Sequence, residues 1–497
     1  MTRRWTAPEL IDLVLDAGSY QSWDRPIDLG DLDPDYRELL RQAADKAGTD
    51  EAVVTGSGLV RGRPVAVVLS EFRFLGGSIG RATADRIIAA VRRATEERLP
   101  LLAGTASGGT RMQEGTPAFV KMAKISAAVM DHRAAKLPYL AYLRHPTTGG
   151  VFASWGSLAH VTVGEPGALI GFLGPKVYAG LFGQPFPEGV QRAENLAQHG
   201  VIDAVVAPAD LPGVVDAALA VLVDPAVPPR LPRRHPHDDR PPPSAWEAVL
   251  RTREPGRAGV RDLLRHGAAG TVRLGGTEEG EHDASILIVL TRLDGQPCVV
   301  IGQDRTRQTA EAPMGPAALR EARRAMRLAE ELGLPLVTVI DTPGAELSVH
   351  AEEHAMAGEI ARCIATMSTL TVPSVAVLLG QGCGGGAQAL LPAQQVIAAE
   401  HAWLSPLPPE GASLIVHSDV DHAAELAESQ RIASRHLLAD GTVHQVVPEL
   451  DGDRPGDLAR AVVAEISRAL WSESGVPGQG RQMGAAVPTP GRAGASG

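Results

Sequence analysis

The sequence predicts an α/β protein built as a tandem duplication of one unit. Apolar runs such as residues 137–143 are too short for core helices and end in glycine turns, which is typical of strands buried on both faces. Landmarks in the two halves also keep a constant offset of 235 positions, which pairs Pro100 with Pro335, Pro138 with Pro373, and Glu165 with Glu400. Such a repeat indicates two copies of one strand and helix unit.

Composition and charge argue against a membrane span, a signal peptide and general nucleic-acid binding. The chain has 497 residues, of which 44% are hydrophobic. No stretch approaches the roughly eighteen consecutive apolar residues of a membrane span, and the N-terminus lacks the apolar core of a signal peptide. The formal net charge of -11 argues against general nucleic-acid binding. We therefore expect a cytoplasmic protein that binds neither membrane nor nucleic acid.

The metal-ligating residue types do not form a recognisable site. Cys298, Cys363 and Cys383 are far apart and form no C-x-x-C pair, so neither a disulfide framework nor a cysteine zinc site is expected. His350 and His354 lie four positions apart, but the zincin pattern requires a glutamate directly after the first histidine. The predicted site therefore contains no metal and no zinc.

Five segments follow from the pattern of prolines, glycines and apolar residues. They are a helical lead-in, a first α/β unit, a proline-rich linker with short helices, a second α/β unit and a disordered tail, at residues 1–51, 52–225, 226–270, 271–472 and 473–497. The lead-in has predicted helices at residues 8–17 and 36–46. The linker has a short helical pair at residues 246–267.

Each unit repeats the order strand, glycine turn, helix. In the first unit, a helix is predicted over residues 117–135, and its apolar face is formed by Phe119, Met122, Ala123, Ile125 and Val129. In the second unit, a helix is predicted over residues 353–370. Because parallel strands direct their carboxyl ends to one edge of a sheet, the glycine turns should converge there, where open α/β folds bind ligands.

Several motifs, in order and at the family's spacing, resemble one enzyme family. The resemblance to the β subunit of bacterial acetyl-CoA carboxylase carboxyltransferase rests on SGGTRMQEG, PTTGGVFAS, EPGALIGFLGPKV and PEGVQRAENLAQHGVID. The resemblance to its α subunit rests on DTPGAE, AEEHAMAGEIAR and GQGCGGGAQA. Together these motifs cover about residues 52–208 and 285–450. The resemblance implies two crotonase-like domains that move a carboxyl group from carboxybiotin to an acyl-CoA.

The resemblance also implies a site made of backbone amides. The transfer places negative charge on the thioester oxygen of the acyl-CoA and on the ureido oxygen of biotin, so two oxyanion holes are needed. The first unit is expected to serve acyl-CoA through the turns at Gly108, Gly109, Gly149 and Gly150. The second is expected to serve biotin through the turns at Gly344, Ala345, Gly385 and Gly386. The family is thought to use the biotin nitrogen as the base, so no side-chain base is expected.

The CoA moiety is expected near the segment FLGGSIG, which resembles the family's CoA loop. That loop implies contacts from Phe74, Gly76, Gly77 and Ser78. The nearest cations for the CoA phosphates are Arg111, Lys121 and Lys124, and the two lysines lie three positions apart on one predicted helix face.

The resemblance further implies partners. Neither a biotinyl domain nor an ATP-dependent carboxylase domain fits in the chain, so we expect a biotin carboxyl carrier protein, a biotin carboxylase and a homo-oligomeric assembly. The expected reaction converts acetyl-CoA to malonyl-CoA for fatty acid biosynthesis.

Departures from the family leave two alternatives open. The four-cysteine zinc ribbon of the bacterial β subunit is missing, Glu346 replaces a usual aromatic residue after DTPGA, and Pro409 replaces a usual serine before PEG. One alternative is a decarboxylase acting on malonate or a malonyl thioester. The other is a catalytically degenerate scaffold subunit of a carboxylase complex.

Overall fold

A computed structural model describes residues 4–30, 32–234 and 241–474. Part of the predicted linker, residues 235–240, and most of the predicted disordered tail, residues 475–497, lie outside the described residues. The described residues form two mixed sheets, one in each half of the chain.

The first sheet has the strand order β1-β2-β3-β4-β5-β6-β8, with β7 paired to β5. Its strands are β1 (Gln21–Ser22), β2 (Val53–Val60), β3 (Arg63–Ser70), β4 (Leu101–Ser107), β5 (Tyr139–Thr148), β6 (Val161–Gly164), β7 (Ile170–Gly171) and β8 (Ala204–Val205). The β2–β3 pair is antiparallel, whereas β3 through β6 and β8 run parallel.

The second sheet has the order β16-β14-β13-β12-β11-β10-β9, with β15 paired to β13. Its strands are β9 (Ala268–Leu274), β10 (Ile286–Leu293), β11 (Gln296–Gln303), β12 (Leu336–Thr342), β13 (Ser374–Cys383), β14 (Gln395–Ala399), β15 (Trp403–Ser405) and β16 (Gln445–Val447). Here too antiparallel pairing, in β9–β10 and β10–β11, is followed by parallel pairing. The matching order confirms the predicted tandem α/β duplication.

Helices cover both sheets. They are α1 (Ala7–Val14), α2 (Pro34–Ala47), α3 (Arg81–Glu96), α4 (Gly115–Ala134), α5 (Pro175–Phe182), α6 (Ala193–Gln198), α7 (Leu211–Leu222), α8 (Ala245–Arg253), α9 (Val260–Gly267), α10 (Pro316–Leu332), α11 (Val349–Glu353), α12 (Met356–Thr369), α13 (Gly384–Gln388), α14 (Pro409–His417), α15 (Ala423–Ser429), α16 (Ser434–Ala439) and α17 (Pro455–Ser474). Within the described ranges, no helix has the length and apolar character needed to cross a bilayer.

Two details of the predicted helices need correction. The helix predicted over residues 353–370 is broken, because Ala355 has a left-handed φ of 63° and α12 begins only after it. On α4, Met122, Ile125 and Val129 are buried as predicted, but Phe119 is 63% exposed and Ala123 is also at the surface. The apolar face of α4 is therefore narrower than the sequence pattern indicates.

The central strands are buried because helices cover both faces of each sheet. Every residue of β4 and of β12 is buried, as expected for strands in the middle of a parallel sheet. One hydrophobic core packs α3 and α4 on the first sheet and includes Ile87 and Ile125. A second core runs from the other face of that sheet into the second half and joins Leu140, Leu219 and Val377.

Buried ion pairs also join the two halves. Arg324 of α10 lies 2.8 Å from the carboxylate of Asp203, and its other guanidinium nitrogen lies 2.7 Å from Glu278. The Arg324 side chain is only 6% exposed. Breaking a pair in such a setting is costly because a buried charge is left without its partner.

Candidate active site

The strands β4 and β12 end in turns of the same backbone geometry. Gly109 has φ 109° and Gly344 has φ 141°, values that only glycine adopts readily. A hydroxyl at the end of each strand stabilises the turn that follows. Ser107 Oγ accepts a hydrogen bond from Gly109 N–H at 3.0 Å. In the second half, Thr342 Oγ1 accepts one from Gly344 N–H at 3.1 Å. We call these the first and second strand-end turns. They lie 235 positions apart, as the repeat predicts.

The residue after each glycine carries an amide without an acceptor. Thr110 pairs with Ile79, and Ala345 pairs with Met314, as isolated parallel bridges. In both bridges the following residue donates its N–H, from Arg111 to Ile79 and from Glu346 to Met314, each at 2.9 Å. In the described part of the chain, the N–H groups of Thr110 and Ala345 donate to no acceptor. Such amides are suitable oxyanion donors.

The two predicted donors of the first strand-end turn are already used. Gly108 N–H donates to the carbonyl oxygen of Gly76 at 2.9 Å, and Gly109 N–H donates to Ser107. The free amide belongs to Thr110, which the sequence-based prediction missed. Its alignment with Ala345 at the 235-residue offset could have identified it.

A second glycine turn follows β5 in the first half. Gly149 has φ 64°, and its N–H donates to the carbonyl oxygens of Gly171 and Phe172, both at 3.1 Å. Neither Gly150 nor Val151 donates its N–H to an acceptor among residues 4–30, 32–234 and 241–474. Gly150 is therefore a free donor, and Val151 adds another amide beside it.

The equivalent turn after β13 begins helix α13. Gly384 has φ 61° and stands 235 positions after Gly149, so it is the structural counterpart of that residue. The predicted pair Gly385 and Gly386 therefore lies one position further along the chain than the pair Gly149 and Gly150. The first amides of a helix have no acceptor within the helix, and Gly385 and Gly386 are the second and third residues of α13.

The two turns of each half lie side by side. A Cβ atom on Gly109 would be 3.7 Å from the amide nitrogen of Gly150. In the second half, a Cβ atom on Gly386 would be 3.4 Å from the amide nitrogen of Ala345. Each half therefore brings free amides from two adjacent strand ends together.

The side chains around the two strand-end turns differ. Arg111 is 1% exposed, and both of its terminal nitrogens contact the Glu51 carboxylate. Burial lowers its pKa, but the hydrogen bond and charge of Glu51 outweigh burial and hold that pKa above its usual value. At the same position in the second half, the Glu346 carboxylate accepts a 2.5 Å hydrogen bond from Ser348 Oγ and lies 3.3 Å from His350 Nδ1.

The predicted CoA loop is largely buried beneath the first strand-end turn. Phe74 is 1% exposed, and the carbonyl oxygen of Ser78 accepts a 2.9 Å hydrogen bond from Arg111. A Cβ atom on Gly77 would lie 2.0 Å from the carbonyl oxygen of Ala106, so only glycine fits there. These residues therefore pack against the first strand-end turn from inside the protein.

The three predicted phosphate-binding cations are not grouped at the surface. Arg111 is unsuited to this role because it is buried and paired with Glu51. Lys121 is paired with Asp85, and Lys124 is exposed on α4. The sequence could not show the partners of Arg111 and Lys121, because ion pairing depends on residues that are distant in sequence.

A buried polar network lies below the second strand-end turn. Gln303 Oε1 accepts a 3.0 Å hydrogen bond from Asp341 N–H, and Gln303 Nε2 donates a 2.8 Å hydrogen bond to the carbonyl oxygen of Gly386. Asp341 is fully buried, and burial raises its pKa to about 6 against the lowering effect of Arg305. By strand register, the equivalent positions in the first half hold Ser70 and Ala106. Ser70 Oγ has no hydrogen-bond partner among the described residues, so this network belongs to the second half.

No metal site appears in the described chain. Residues 4–30, 32–234 and 241–474 contain no group of three or more His, Cys, Asp or Glu side chains that could hold an ion. His350 and His354 instead stack on each other with ring centroids 4.1 Å apart.

Comparison with known proteins places the chain in a family. Residues 4–477 match the family described as carboxyl transferase domain. A probable biotin-dependent acyl-coenzyme A carboxylase beta3 subunit from Mycobacterium tuberculosis is 56% identical over 470 residues, covering 93% of this chain and 94% of that protein. The acetyl-coenzyme A carboxylase carboxyl transferase subunits beta/alpha of Salinispora arenicola is 39% identical over 462 residues, covering 88% and 81%.

A solved structure supports the fold independently. The crystal structure of transcarboxylase 12S, described as a hexamer assembly with hydrolysed methylmalonyl-coenzyme A bound, superposes with a TM-score of 0.73 at 20% identity. The match covers 98% of this chain and 93% of that one, and it confirms the predicted tandem crotonase-like fold. With its motifs, its duplicated turns and these matches, the chain belongs to the carboxyl transferase domain family.

Proposed function

We propose that this protein is the carboxyltransferase component of a biotin-dependent acyl-CoA carboxylase. The observation that carries the proposal is the pair of equivalent sites, in which free backbone amides from two adjacent strand ends meet once in each half. The reaction creates negative charge on two different oxygens, and each half offers donors for one of them.

The first half binds the acyl-CoA in this proposal. The amides of Thr110 and Gly150 donate to the thioester oxygen, which becomes more negative as the α-carbon loses its proton. Because backbone donors are held by the fold, they need no reorganisation as charge develops. Each such donor is worth about 10²–10³ in rate in other enzymes.

The second half binds biotin. Its donors are the neutral backbone amides of Ala345, Gly385 and Gly386. Neutral donors suit the ureido oxygen of biotin, because that oxygen is uncharged before transfer and negative after it. Carboxybiotin, carried by a partner protein and made by a biotin carboxylase, supplies the carboxyl group. The carboxylate of Glu346 is held by Ser348 and His350, an arrangement compatible with activity.

We assign acetyl-CoA as the acceptor and malonyl-CoA as the product, in fatty acid biosynthesis. The support for this finer assignment is the Salinispora arenicola relative, whose name specifies acetyl-coenzyme A carboxylase. The more similar Mycobacterium tuberculosis relative is named only for acyl-coenzyme A. Comparing acetyl-CoA and propionyl-CoA turnover tests the assignment, and a preference for propionyl-CoA would contradict it.

The active assembly is a homo-oligomer in which the first half of one copy faces the second half of another. Large apolar side chains are exposed beside both sites. Phe172 is 71% exposed next to the Gly149 turn, whereas Leu347 is 94% exposed and Ile415 is 72% exposed in the second half. Exposed apolar surface of this kind marks contact sites. A monomeric mass by light scattering, with activity retained, would contradict the assembly.

The deciding experiment runs the reaction in reverse. Purified protein is incubated with malonyl-CoA and biocytin, and carboxybiocytin and CO2 are measured. Carboxybiocytin that depends on both substrates supports the proposal. Release of CO2 without biotin dependence would favour the decarboxylase, and malonyl-CoA binding without either product would favour a scaffold subunit, which the departures at Glu346 and Pro409 suggested.

A further inference from the structure

We infer that Gln303 is a positioning residue for the second site, where it fixes the backbone amides proposed to stabilise the ureido oxygen of biotin. The inference rests on the proposed function, which assigns the second half to biotin, and it adds a residue that acts through other residues. Gln303 is the last residue of β11, and its side chain is fully buried. It contacts both β12, which ends in the second strand-end turn, and the helix α13.

The helix α13 is poorly suited to hold its own backbone. It has five residues, Gly384–Gln388, and three consecutive glycines begin it. Glycine is the least favourable residue in a helix apart from proline, and isolated helices shorter than roughly 12 residues are marginal in water. The proposed donors Gly385 and Gly386 therefore depend on contacts from outside α13 for a fixed direction.

Gln303 provides such a contact at Gly386. Its Nε2 donates a 2.8 Å hydrogen bond to the carbonyl oxygen of Gly386. In a longer helix that oxygen would accept from the N–H of Leu390, but Leu390 donates to Ala387 instead, at 3.2 Å. The carbonyl and the N–H of Gly386 are attached to the same Cα atom, and glycine has no side chain to restrict its rotation. Holding the carbonyl therefore restricts the direction of the N–H.

The other end of the Gln303 amide holds β12. Its Oε1 accepts a 3.0 Å hydrogen bond from the N–H of Asp341, shortly before the second strand-end turn. The Asp341 carboxylate in turn accepts a 3.0 Å hydrogen bond from the N–H of Gln381 in β13, where the pairing of β12 with β13 is irregular. A Cβ atom on Gly380 would lie 2.4 Å from that carboxylate, so a glycine leaves room for it. One buried side chain thus connects the ends of both strands.

The first half connects its two strand ends in a different way. Thr148 Oγ1, at the end of β5, donates a 3.3 Å hydrogen bond to the carbonyl oxygen of Ser107, at the end of β4. The residue 235 positions after Thr148 is Cys383, whose thiol is only a weak hydrogen-bond donor. Gln303 therefore supplies in the second half the connection that Thr148 supplies in the first.

The proposed donors need such a connection because their geometry is demanding. A Cβ atom on Gly386 would be 3.4 Å from the amide nitrogen of Ala345, so the two donors come from separate segments that must stay in register. Oxyanion donors act within about 2.7–3.1 Å of the charged oxygen, and a misplacement of about 1 Å can cost about 10²-fold in rate. Loss of Gln303 should therefore lower the rate constant of transfer rather than the affinity for acyl-CoA.

The test compares variants in the reverse reaction with malonyl-CoA and biocytin. Gln303→Met keeps an unbranched side chain of similar length and removes both hydrogen bonds. Its kcat for carboxybiocytin formation should fall at least about tenfold. Its KM for malonyl-CoA should stay within about twofold of the parent, because the first half is unchanged.

Thr338→Val is the matched control. The buried Thr338 Oγ1 donates a 2.7 Å hydrogen bond to the carbonyl oxygen of Leu390, just after α13. This variant also leaves one buried carbonyl near α13 without a donor, but it removes no contact to Gly386 or Asp341. Its kcat should stay within about twofold of the parent.

Hydrogen exchange measured by mass spectrometry gives a readout that needs no turnover. In Gln303→Met, the amides of residues 341–346 and 384–388 should both exchange faster than in the parent, whereas Thr338→Val should leave residues 341–346 at the parent's rate. Gln303→Asn keeps the amide group on a shorter side chain and should have a kcat between those of the parent and Gln303→Met. It replaces Gln303→Met in the test if urea denaturation shows that variant to be unfolded.

Three results would overturn the inference. They are a parent-like kcat in Gln303→Met, an equal loss of kcat in Thr338→Val, and a rise in the KM for malonyl-CoA as large as the fall in kcat. A parent that forms no carboxybiocytin contradicts the proposed function, and hydrogen exchange then still tests whether Gln303 holds both segments. An active parent with an equally active Gln303→Met contradicts only the positioning role.

Discussion

The two halves of the molecule share a backbone and differ in what surrounds it. Gly109 and Gly344 both have positive φ, and each is followed by a residue with a free amide. Beside the first strand-end turn, Arg111 is locked in a buried pair with Glu51, whereas the second has the partly exposed Glu346 at the same position. The duplicated backbone therefore provides amide donors in both halves. The side chains that differ between the halves distinguish the proposed acyl-CoA site from the proposed biotin site.

The buried residues next to the turns also differ between the two halves. In the second half, Gln303 connects the amide of Asp341 to the carbonyl oxygen of Gly386, so a polar network links the two turns. In the first half, Ser70 and Ala106 occupy these places, and Ala106 has no carboxyl group. The second site is thus linked through Gln303 to a buried carboxyl group, whereas the equivalent position of the first half is an alanine.

The largest expected effect tests the difference between Arg111 and Glu346. Arg111→Ala leaves the Glu51 carboxylate buried without its charged partner, so the free energy of unfolding should fall by about 3–5 kcal/mol. Glu346→Ala should change it by no more than about 0.5 kcal/mol, because that carboxylate is partly exposed to solvent. Urea denaturation measures both values.

A double variant distinguishes the cost of an unpaired buried charge from a general folding defect. Removing Glu51 as well, in Arg111→Ala, Glu51→Ala, should restore part of the lost stability because the buried Glu51 charge is removed together with its partner. Equal losses for Arg111→Ala and Glu346→Ala would contradict the asymmetry between the two turns.

The next effect concerns the division of substrates between the halves. Valine at Gly150 would place its Cβ 3.2 Å from Met122 and 3.5 Å from Thr110 Oγ1, where the thioester oxygen must approach. Valine at Gly386 would crowd Met314 at 2.6 Å and the Ala345 amide at 3.4 Å. Each variant should lose at least about 10²-fold in biotin-dependent turnover, the value of one oxyanion donor.

Ligand binding and a matched control decide the interpretation. By calorimetry, Gly386→Val should keep acyl-CoA affinity within a few fold. Gly108→Ala is the control, since its amide is already used by Gly76 and its Cβ would meet only that carbonyl oxygen, at 3.6 Å. It should keep near-parent activity. Loss of CoA binding in Gly386→Val, with binding and rate retained in Gly150→Val, would reverse the assignment of the two halves.

The last expected effect is a pH dependence that arises from Asp341 in the second half. Burial raises the pKa of Asp341 to about 6, whereas an unfolded chain has a value of about 3.9. Because the folded state holds this proton more tightly, its stabilising contribution is complete below about pH 4 and is lost as the pH rises through about 6. The loss should be on the order of 2–3 kcal/mol.

Asp341→Asn should remove this contribution. The free energy of unfolding of the parent should fall relative to that of the variant between about pH 4 and pH 7, and should then stay level. Parallel stability curves over this range would show that Asp341 does not titrate there. The charged groups around it are Arg305, Arg257 and Asp304.

The amino-acid sequence alone predicts the duplicated architecture and the places where its strands end. The constant offset between Pro138 and Pro373 predicted two equivalent units, because repeated units keep the spacing of their strands and turns. Glycines after buried apolar runs marked the turns correctly at Gly109, Gly149 and Gly344, which all have positive φ. These features are local, since strand length and φ preference are properties of a few neighbouring residues.

Which amides and cations are free depends on contacts that form when the chain folds. Gly108 and Gly109 look equivalent in sequence, but a hydrogen bond from Gly108 to Gly76, contributed by the loop after β3, leaves Thr110 as the donor. The sequence suggests that Arg111 is a surface cation, but the fold places it against Glu51, which is 60 positions away in sequence. Hydrogen-bond and charge partners come from distant segments, and packing alone selects them.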